Sequence, residues 1–322
     1  MCENNHKNLH ISILKKYQIG NTEQVLMING ANRANPLLLF LHGGPGTAQI
    51  GYARHFQKEL EQHFTVVNWD QRGAGLSYSK QVLKRSMTIR QFTEDAIEIA
   101  EMLVNSFKVQ KVYLAGYSWG ALLALTVLQA RPDLFYAYYG ISQVVNVREE
   151  EQAAYRYLEE MNHENKKSIP AILLRLIGPP PWNKQIRHEI FRLCIELRRG
   201  GFTHKRQQAI KIFSQMLFGK EYGVKGCLQY LRGQSFSSRA LMDELYHFDA
   251  FKSVPSIKVP CCFISGRHDL IIPGTIPKSY CQRLSAPDKS WHWFENSAHS
   301  PHLEEPKLFA DILSTHGRYH LC

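Results

Sequence analysis

Short continuous runs of apolar residues recur along the first 141 positions, and they are typical of strands that are buried on both faces. Four such runs lie at residues 36–41, 64–69, 111–115 and 135–141. Stretches with helical periodicity separate them, at residues 52–62, 88–106 and 118–130. Two earlier segments, 9–19 and 23–29, flank Gly20-Asn21 and predict a hairpin. This alternation predicts a parallel sheet with helices on both of its faces.

Residues 142–250 depart from the alternation, because their apolar positions follow helical spacing and include no convincing strand. An insertion of about 100 residues is too long for a loop, and we interpret it as a helical lid. Alternation then resumes with strands at 260–265 and 290–294 and helices at 276–284 and 304–315. The chain is therefore predicted to have a core of residues 1–141 and 251–322 and a lid of residues 142–250.

Ser118 is the candidate nucleophile, since it lies between Gly116 and Gly120 in the pattern G-x-S-x-G. An apolar run precedes the pattern and another follows it, as expected where a strand turns sharply into a helix. Glycines leave room for a strained serine at such a turn. The turn also places the hydroxyl at a helix N-terminus, where backbone N–H groups face developing negative charge. A glycine-rich turn with a bystander serine is the alternative interpretation.

Two loops at later strand ends carry the other side chains that a serine nucleophile requires. Asp269 follows the strand at 260–265, and His299 follows the strand at 290–294. Ligands of open α/β sheets bind at this edge. We predict His299 as the base and Asp269 as the acid that orients it, with His302 as a competitor for the role of base.

Backbone N–H groups complete the predicted site. Gly43 and Gly44 follow the strand at 36–41, and Trp119 follows the nucleophile. Their N–H groups are the candidate oxyanion donors. The side chains predicted to contact substrate are those of His42, Tyr117 and Trp182.

The net charge of the chain bears on the kind of partner that it could bind. The net charge is +11, and residues 148–240 hold 17 Lys and Arg against 9 Asp and Glu. An anionic partner is one explanation. The basic residues are interspersed with acidic ones and no nucleic-acid motif occurs, so solvated faces of amphipathic helices explain the charge better. We therefore expect no nucleic-acid partner.

The number and spacing of the cysteines and the lengths of the apolar runs indicate the cellular compartment of the protein. The seven cysteines are odd in number and form no C-x-x-C, which argues against a disulfide framework or a zinc site. No apolar run is long enough to span a membrane, and the first residues lack the apolar stretch of a secretory signal. We expect a cytoplasmic protein that needs no metal and no organic cofactor.

Taken together, these motifs resemble those of α/β-hydrolases, and within that fold the proline iminopeptidase-like group. The resemblance covers residues 24–140 and 255–315 and hardly extends to the lid. It implies the α/β-hydrolase fold, Ser118, Asp269 and His299 as a catalytic triad, and an oxyanion hole at the glycine loop and Trp119. The segments that carry it are 42–46 (HGGPG), 70–77 (DQRGAGLS), 116–120 (GYSWG), 266–269 (GRHD) and 298–300 (AHS).

The sequence departs from the proline iminopeptidase-like group at positions that affect which substrate is expected. Tyr117 and Ala298 stand where iminopeptidases usually have glycine, and the lid lacks their Trp/Glu-rich segment, whose carboxylates hold the amino group of the substrate. Lid glutamates could substitute, but their helical spacing favours solvent exposure; they are Glu149, Glu150, Glu151, Glu159 and Glu160. We therefore expect a serine hydrolase of carboxylic esters or lactones, including macrocyclic lactones, that proceeds through an acyl-enzyme.

Two alternatives to that function stay open. An aminopeptidase of the proline iminopeptidase type acts on short peptides with the same triad. A ligand-binding homologue without turnover would use the same pocket, although the complete triad argues against it. The sequence predicts no oligomeric state.

Overall fold

An eight-stranded sheet forms the centre of the computed structural model, which describes residues 9–163, 165–182 and 185–318. The spatial order of the strands is β1-β2-β4-β3-β5-β6-β7-β8. From β4 onward every neighbouring pair is parallel, whereas β2 runs antiparallel to both β1 and β4. The strands are β1 (Ile11–Ile19), β2 (Thr22–Gly30), β3 (Leu37–Leu41), β4 (Thr65–Asp70), β5 (Val112–Tyr117), β6 (Phe135–Ile141), β7 (Cys261–Gly266) and β8 (Lys289–Phe294).

Helices cover both faces of the sheet, because successive residues of β3 are buried in two different apolar clusters. Leu39 packs in an apolar cluster with residues of α2 (Ile89–Phe107) and α3 (Trp119–Ala130), whereas Phe40 packs in another cluster with Phe309 and Leu313 of α12 (Pro306–Arg318). The predicted α/β-hydrolase fold with a mostly parallel sheet is thereby confirmed. The helices of this core are α1 (Ile50–Phe56), α2 (Ile89–Phe107), α3 (Trp119–Ala130), α10 (Thr275–Arg283), α11 (Pro301–Glu304) and α12 (Pro306–Arg318).

The segment predicted to be a lid, residues 142–250, is helical where the structure describes it and has its own apolar cluster. Ala154, Leu158, Leu174 and Phe191 pack there against Leu270 of the core. Within the described part of residues 142–250 there is no strand. No helix among the residues described is both long and apolar enough to span a bilayer. The helices between β6 and β7 are α4 (Val147–Met161), α5 (Ile169–Ile177), α6 (Gln185–Leu197), α7 (Arg206–Phe218), α8 (Gly223–His247) and α9 (Ala250–Ser253).

Several predicted boundaries differ from the structure. The helix predicted at 52–62 ends at Phe56, and a separate 3-10 turn follows at Leu60–Gln62. The helix predicted at 304–315 is divided into α11 and α12, because the residue before Pro306 is disfavoured in the helical conformation. The longest helix, α8, contains glycines at positions 223, 226 and 233, which weaken the helical pattern in the sequence.

Candidate active site

Ser118 lies at the turn between β5 and α3 in a strained conformation, with φ 54° and ψ −117°. The flanking glycines are required by space. A Cβ on Gly116 would lie 2.4 Å from the carbonyl oxygen of Gly120, and a Cβ on Gly120 would lie 2.2 Å from the carbonyl oxygen of Leu41. The backbone therefore closes tightly around the serine, as the G-x-S-x-G spacing predicts.

The structure brings Ser118, His299 and Asp269 together at the carboxyl edge of the sheet. His299 Nε2 lies 3.0 Å from Ser118 Oγ, and His299 Nδ1 lies 2.8 Å from Asp269 Oδ2. The other oxygen of Asp269 accepts hydrogen bonds from the N–H groups of Ile271 and Ile272, each at 2.9 Å. A carboxylate only accepts hydrogen bonds, so His299 carries its proton on Nδ1 and Nε2 can take the serine proton.

The glycine loop lies beside the nucleophile. A Cβ on Gly43 would be 3.4 Å from the Ser118 Cβ, and a Cβ on Gly44 would be 2.4 Å from the Gly46 nitrogen. Trp119 is the first residue of α3, where N–H groups have no partner within the helix. This placement supports the prediction that the N–H groups of Gly43, Gly44 and Trp119 face the oxyanion.

Lid residues contact both triad loops. The carbonyl oxygen of Gly201 accepts a hydrogen bond from the His299 N–H at 3.2 Å, and that of Gly200 accepts one from Leu270 at 2.9 Å. Glu304 accepts hydrogen bonds from the backbone of His204 and of Ala298, and so links the lid to the histidine loop. The lid is therefore joined to the loops that hold Asp269 and His299.

His42 is fully buried beneath the glycine loop. Its Nδ1 lies 2.8 Å from the Gly43 carbonyl oxygen, and its Nε2 accepts the Gln71 N–H at 3.1 Å. Burial lowers the pKa of His42 to about 4, which keeps the ring neutral. This placement indicates that His42 holds the loop in shape, and it lends no support to the predicted contact with substrate.

Trp182 and His302 are also buried. Neither is placed for its predicted role, which was contact with substrate for Trp182 and action as the base for His302. Trp182 packs in the lid cluster, where its Nε1 donates to the Gly178 carbonyl oxygen at 2.9 Å. His302 has no hydrogen-bond partner for either ring nitrogen in the part of the chain that is described. Burial lowers its pKa to about 3. Of the two candidate bases, only His299 reaches Ser118.

Tyr117 contacts the histidine loop. Its ring lies 5.2 Å from the His299 ring and 4.5 Å from the His302 ring, centroid to centroid. Its hydroxyl lies 2.8 Å from Ser300 Oγ. We predict that Tyr117 is a positioning residue, which ties the nucleophile turn to the loop of the base. Ser300, the partner in this bond, was not singled out from the sequence, because nothing in the sequence marks a serine as paired across the site.

Replacing Tyr117 with phenylalanine is expected to lower kcat about fivefold and to leave KM unchanged, since one buried hydrogen bond contributes about 1 kcal/mol. The measurement is steady-state kinetics of the purified variant. The matched control is Tyr139→Phe, which also removes a buried hydroxyl, one that bonds to Leu313. Equal kinetic loss in both variants would assign Tyr117 a purely structural role.

Acidic side chains of the lid differ in their placement. Glu150 is buried, against the expectation that the lid glutamates are solvated, whereas Glu149, Glu159 and Glu160 are exposed. Glu151 is partly buried and bonds to His188 and to Tyr246. Among the described residues, no group of three His, Cys, Asp or Glu side chains is arranged to hold a metal ion.

The fold and the site define a hydrolase of the α/β-hydrolase type. The chain matches the Alpha/beta hydrolase family over residues 38–312 and belongs to that family. A "Probable aminopeptidase YbaC" of Bacillus subtilis (strain 168) is 60% identical over 311 residues, which are 97% of this chain and 98% of that protein.

More distant relatives agree with this assignment. A proline iminopeptidase of Heyndrickxia coagulans is 25% identical over 276 residues, 86% of this chain and 88% of that protein. The crystal structure of the proline iminopeptidase of Mycobacterium smegmatis has a TM-score of 0.73 at 18% identity, and the match covers 96% of this chain and 98% of that one. The predicted resemblance to the proline iminopeptidase-like group is confirmed.

Proposed function

We propose that the chain is a serine aminopeptidase, which removes the N-terminal residue of short peptides through an acyl-enzyme. The observation that carries the proposal is the hydrogen-bonded series from Ser118 through His299 to Asp269. The relatives named as aminopeptidases favour this function over the ester or lactone hydrolysis that the sequence suggested first. We place the reaction in the cytoplasm, in keeping with five free cysteines among the described residues.

In this mechanism His299 Nε2 takes the Ser118 proton as Oγ attacks the scissile carbonyl carbon. Asp269 holds the imidazole in the required tautomer and stabilises the imidazolium. Backbone N–H groups of the glycine loop and of Trp119 bind the tetrahedral oxyanion, an effect of about 3–4 kcal/mol per donor. His299 then gives its proton to the leaving amine. Water, activated by the same histidine, releases the amino acid and restores Ser118.

An aminopeptidase also needs a group that binds the ammonium of the substrate, and Glu150 is our candidate. Its side chain is buried near the first turn of α4, and Oε1 accepts hydrogen bonds from Val145 and Asn146 at 2.6 and 3.2 Å. Burial, with a smaller contribution from the charge of Asp269, raises its pKa to about 8, although these two hydrogen bonds act in the opposite direction. A substrate ammonium would supply the missing cation and favour the carboxylate.

Replacing Glu150 with glutamine is expected to raise KM for a free-amine substrate about tenfold or more, because charge-assisted hydrogen bonds contribute about 1.5–3 kcal/mol. Turnover of an aryl ester that lacks the amine should change little. The readouts are kcat and KM for a prolyl aryl-amide and for the ester. Glu149→Gln, at the exposed neighbour, is the control and should behave like the parent protein. A rise of KM for both substrates would show that Glu150 does not bind the amine.

The pH dependence of kcat/KM in the parent protein and in Glu150→Gln checks the assignment of Glu150 as the ammonium-binding group. Below a pH of about 8 the Glu150 carboxyl is protonated in the free enzyme, so it must release a proton when the ammonium binds. The value of kcat/KM for the free-amine substrate is therefore expected to fall as pH drops through this range. Glu150→Gln should lack this step and keep only the fall caused by protonation of the base.

The proposed function is tested with purified protein and three substrate types: aryl-amides of single amino acids, a short-chain aryl ester and a macrocyclic lactone. Cleavage of the amides by the parent protein, with none by Ser118→Ala, is the expected result. Turnover of the ester or the lactone without the amides would support the first interpretation of the sequence. Absence of turnover of all three would favour a ligand-binding homologue.

A further inference from the structure

A basic stretch of surface lies within the second half of the lid and ends before the acidic pair Asp243 and Glu244. Residues 205–242 contain seven Lys and Arg and a single acidic residue, Glu221. That residue is already paired, because Glu221 Oε1 accepts from Arg54 Nε at 2.6 Å. None of the seven cations has a carboxylate within 4.0 Å among the residues described. They are Lys205, Arg206, Lys211, Lys220, Lys225, Arg232 and Arg239.

Large apolar side chains stand among these cations. On α8, Val224, Leu228 and Leu231 recur at helical spacing and are 68%, 50% and 58% exposed. Phe218, at the end of α7, is 82% exposed and lies close in sequence to the start of α8. Exposed apolar groups in a row are typical of interaction surfaces rather than of free surface. We call Val224, Lys225, Leu228, Leu231, Arg232 and Arg239 the outward face of α8.

A groove of about 520 Å³ borders this face. Arg232 and Arg239 of α8 line it together with Lys84, and Ser235, between the two arginines in sequence, lines it as well. Tyr78 and Phe236, which meet edge to face with ring centroids 6.2 Å apart, form part of its wall. Three cations and a hydroxyl around one groove are suited to an oxygen-rich anion such as a phosphate group.

The charge of the face restricts the possible occupant. In a twofold dimer through this surface, the same patch would meet itself and cations would face cations. A nucleic acid would use the cations, but its phosphates make no use of exposed valine and leucine. A helix that presents leucines beside lysines and arginines matches the interface of an anionic bilayer, where apolar side chains enter the acyl boundary and cations meet phosphates.

We propose that the outward face of α8 docks on an anionic lipid surface, with the groove at Lys84, Arg232 and Arg239 receiving lipid phosphate. Other residues of α8 hold neighbouring loops in place, since Ser238 Oγ donates to the Pro45 carbonyl oxygen and Ser237 Oγ to that of Gly73, each at 3.1 Å, and no residue of the outward face takes part in these bonds. The outward residues are therefore free to bind lipid without disturbing the fold. This proposal is independent of the substrate of the enzyme.

Co-sedimentation of the full chain with vesicles tests the proposal. Vesicles of phosphatidylglycerol and phosphatidylcholine should bind the protein at low salt and release it at high salt, and pure phosphatidylcholine vesicles should bind it weakly. The variant Lys84→Glu/Arg232→Glu/Arg239→Glu should lose about 100-fold in affinity. Leu228→Gln/Leu231→Gln should lose about tenfold. Aryl-amide turnover without vesicles should be unchanged in both variants.

The matched control reverses three exposed cations of the core, Lys258, Lys278 and Lys307, and changes the net charge equally. An equal loss of affinity in this control would show attraction by net charge alone and overturn the proposal. Failure of the parent protein to bind anionic vesicles at low salt would overturn it as well. So would binding to polyglutamate or duplex DNA that is as tight and does not depend on Leu228 and Leu231.

Discussion

Replacement of Ser118 by alanine is expected to lower kcat by about four to six orders of magnitude, because the nucleophile is lost and only binding and the oxyanion donors remain. The fold should persist. Among the residues that the structure describes, His299 Nε2 is the only side-chain partner of the serine hydroxyl, and alanine can adopt the same positive φ at similar cost. The measurements are kcat on the best aryl-amide and the thermal unfolding midpoint of the purified variant.

The effect of Ser118→Ala should not add to that of His299→Ala. Residues that act as one unit lose most of their contribution when any member is removed. The double variant is therefore expected to be about as inactive as either single variant, and all three should unfold at similar temperatures. Substantial turnover by Ser118→Ala, free of contaminating parent enzyme, would contradict the acyl-enzyme mechanism.

The parts of the site that could be predicted are those whose chemistry depends on local sequence. Gly116 and Gly120 are required because backbone atoms lie where their side chains would be, and such steric demands are visible in a motif. Strands buried on both faces are equally visible, as in 36–41 and 64–69. Each loop that follows such a strand reaches the same edge of the sheet, which is why the sequence alone predicts Asp269 and His299 as parts of the site.

Features set by tertiary packing could not be predicted in the same way. Three consecutive glutamates, 149–151, lie near the start of α4, and only the docking of that helix determines that Glu150 is buried while Glu149 is exposed. The sequence is compatible with a Trp182 that lines a pocket or with one that packs inside the lid. The structure places Trp182 in the apolar cluster of the lid. His42 follows a strand at the reactive edge, but its two hydrogen bonds turn it under the glycine loop.

Replacement of Asp95 by alanine is expected to have the largest effect on stability. Arg72 and Asp95 form a two-pronged ion pair, with Nε and Nη2 each 2.8 Å from a carboxylate oxygen, and both side chains are almost fully buried. Gln24 and Gln91 also donate to this carboxylate, at 2.8 and 3.0 Å. The pair joins the loop after β4 to the β1–β2 hairpin and to α2.

Removal of the carboxylate leaves the Arg72 guanidinium buried without its counter-charge, which costs about 3–5 kcal/mol in comparable pairs. The free energy of unfolding, from urea titration, should fall by that amount in Asp95→Ala. Glu94→Ala provides the control, since the neighbouring Arg90–Glu94 pair on α2 is exposed and its loss should be small. The double variant Arg72→Met/Asp95→Leu should recover part of the loss, because it leaves no charge buried, although Gln24 and Gln91 still lose their acceptor. Equal destabilisation by Asp95→Ala and Glu94→Ala would mean that the buried pair does not anchor the loop after β4.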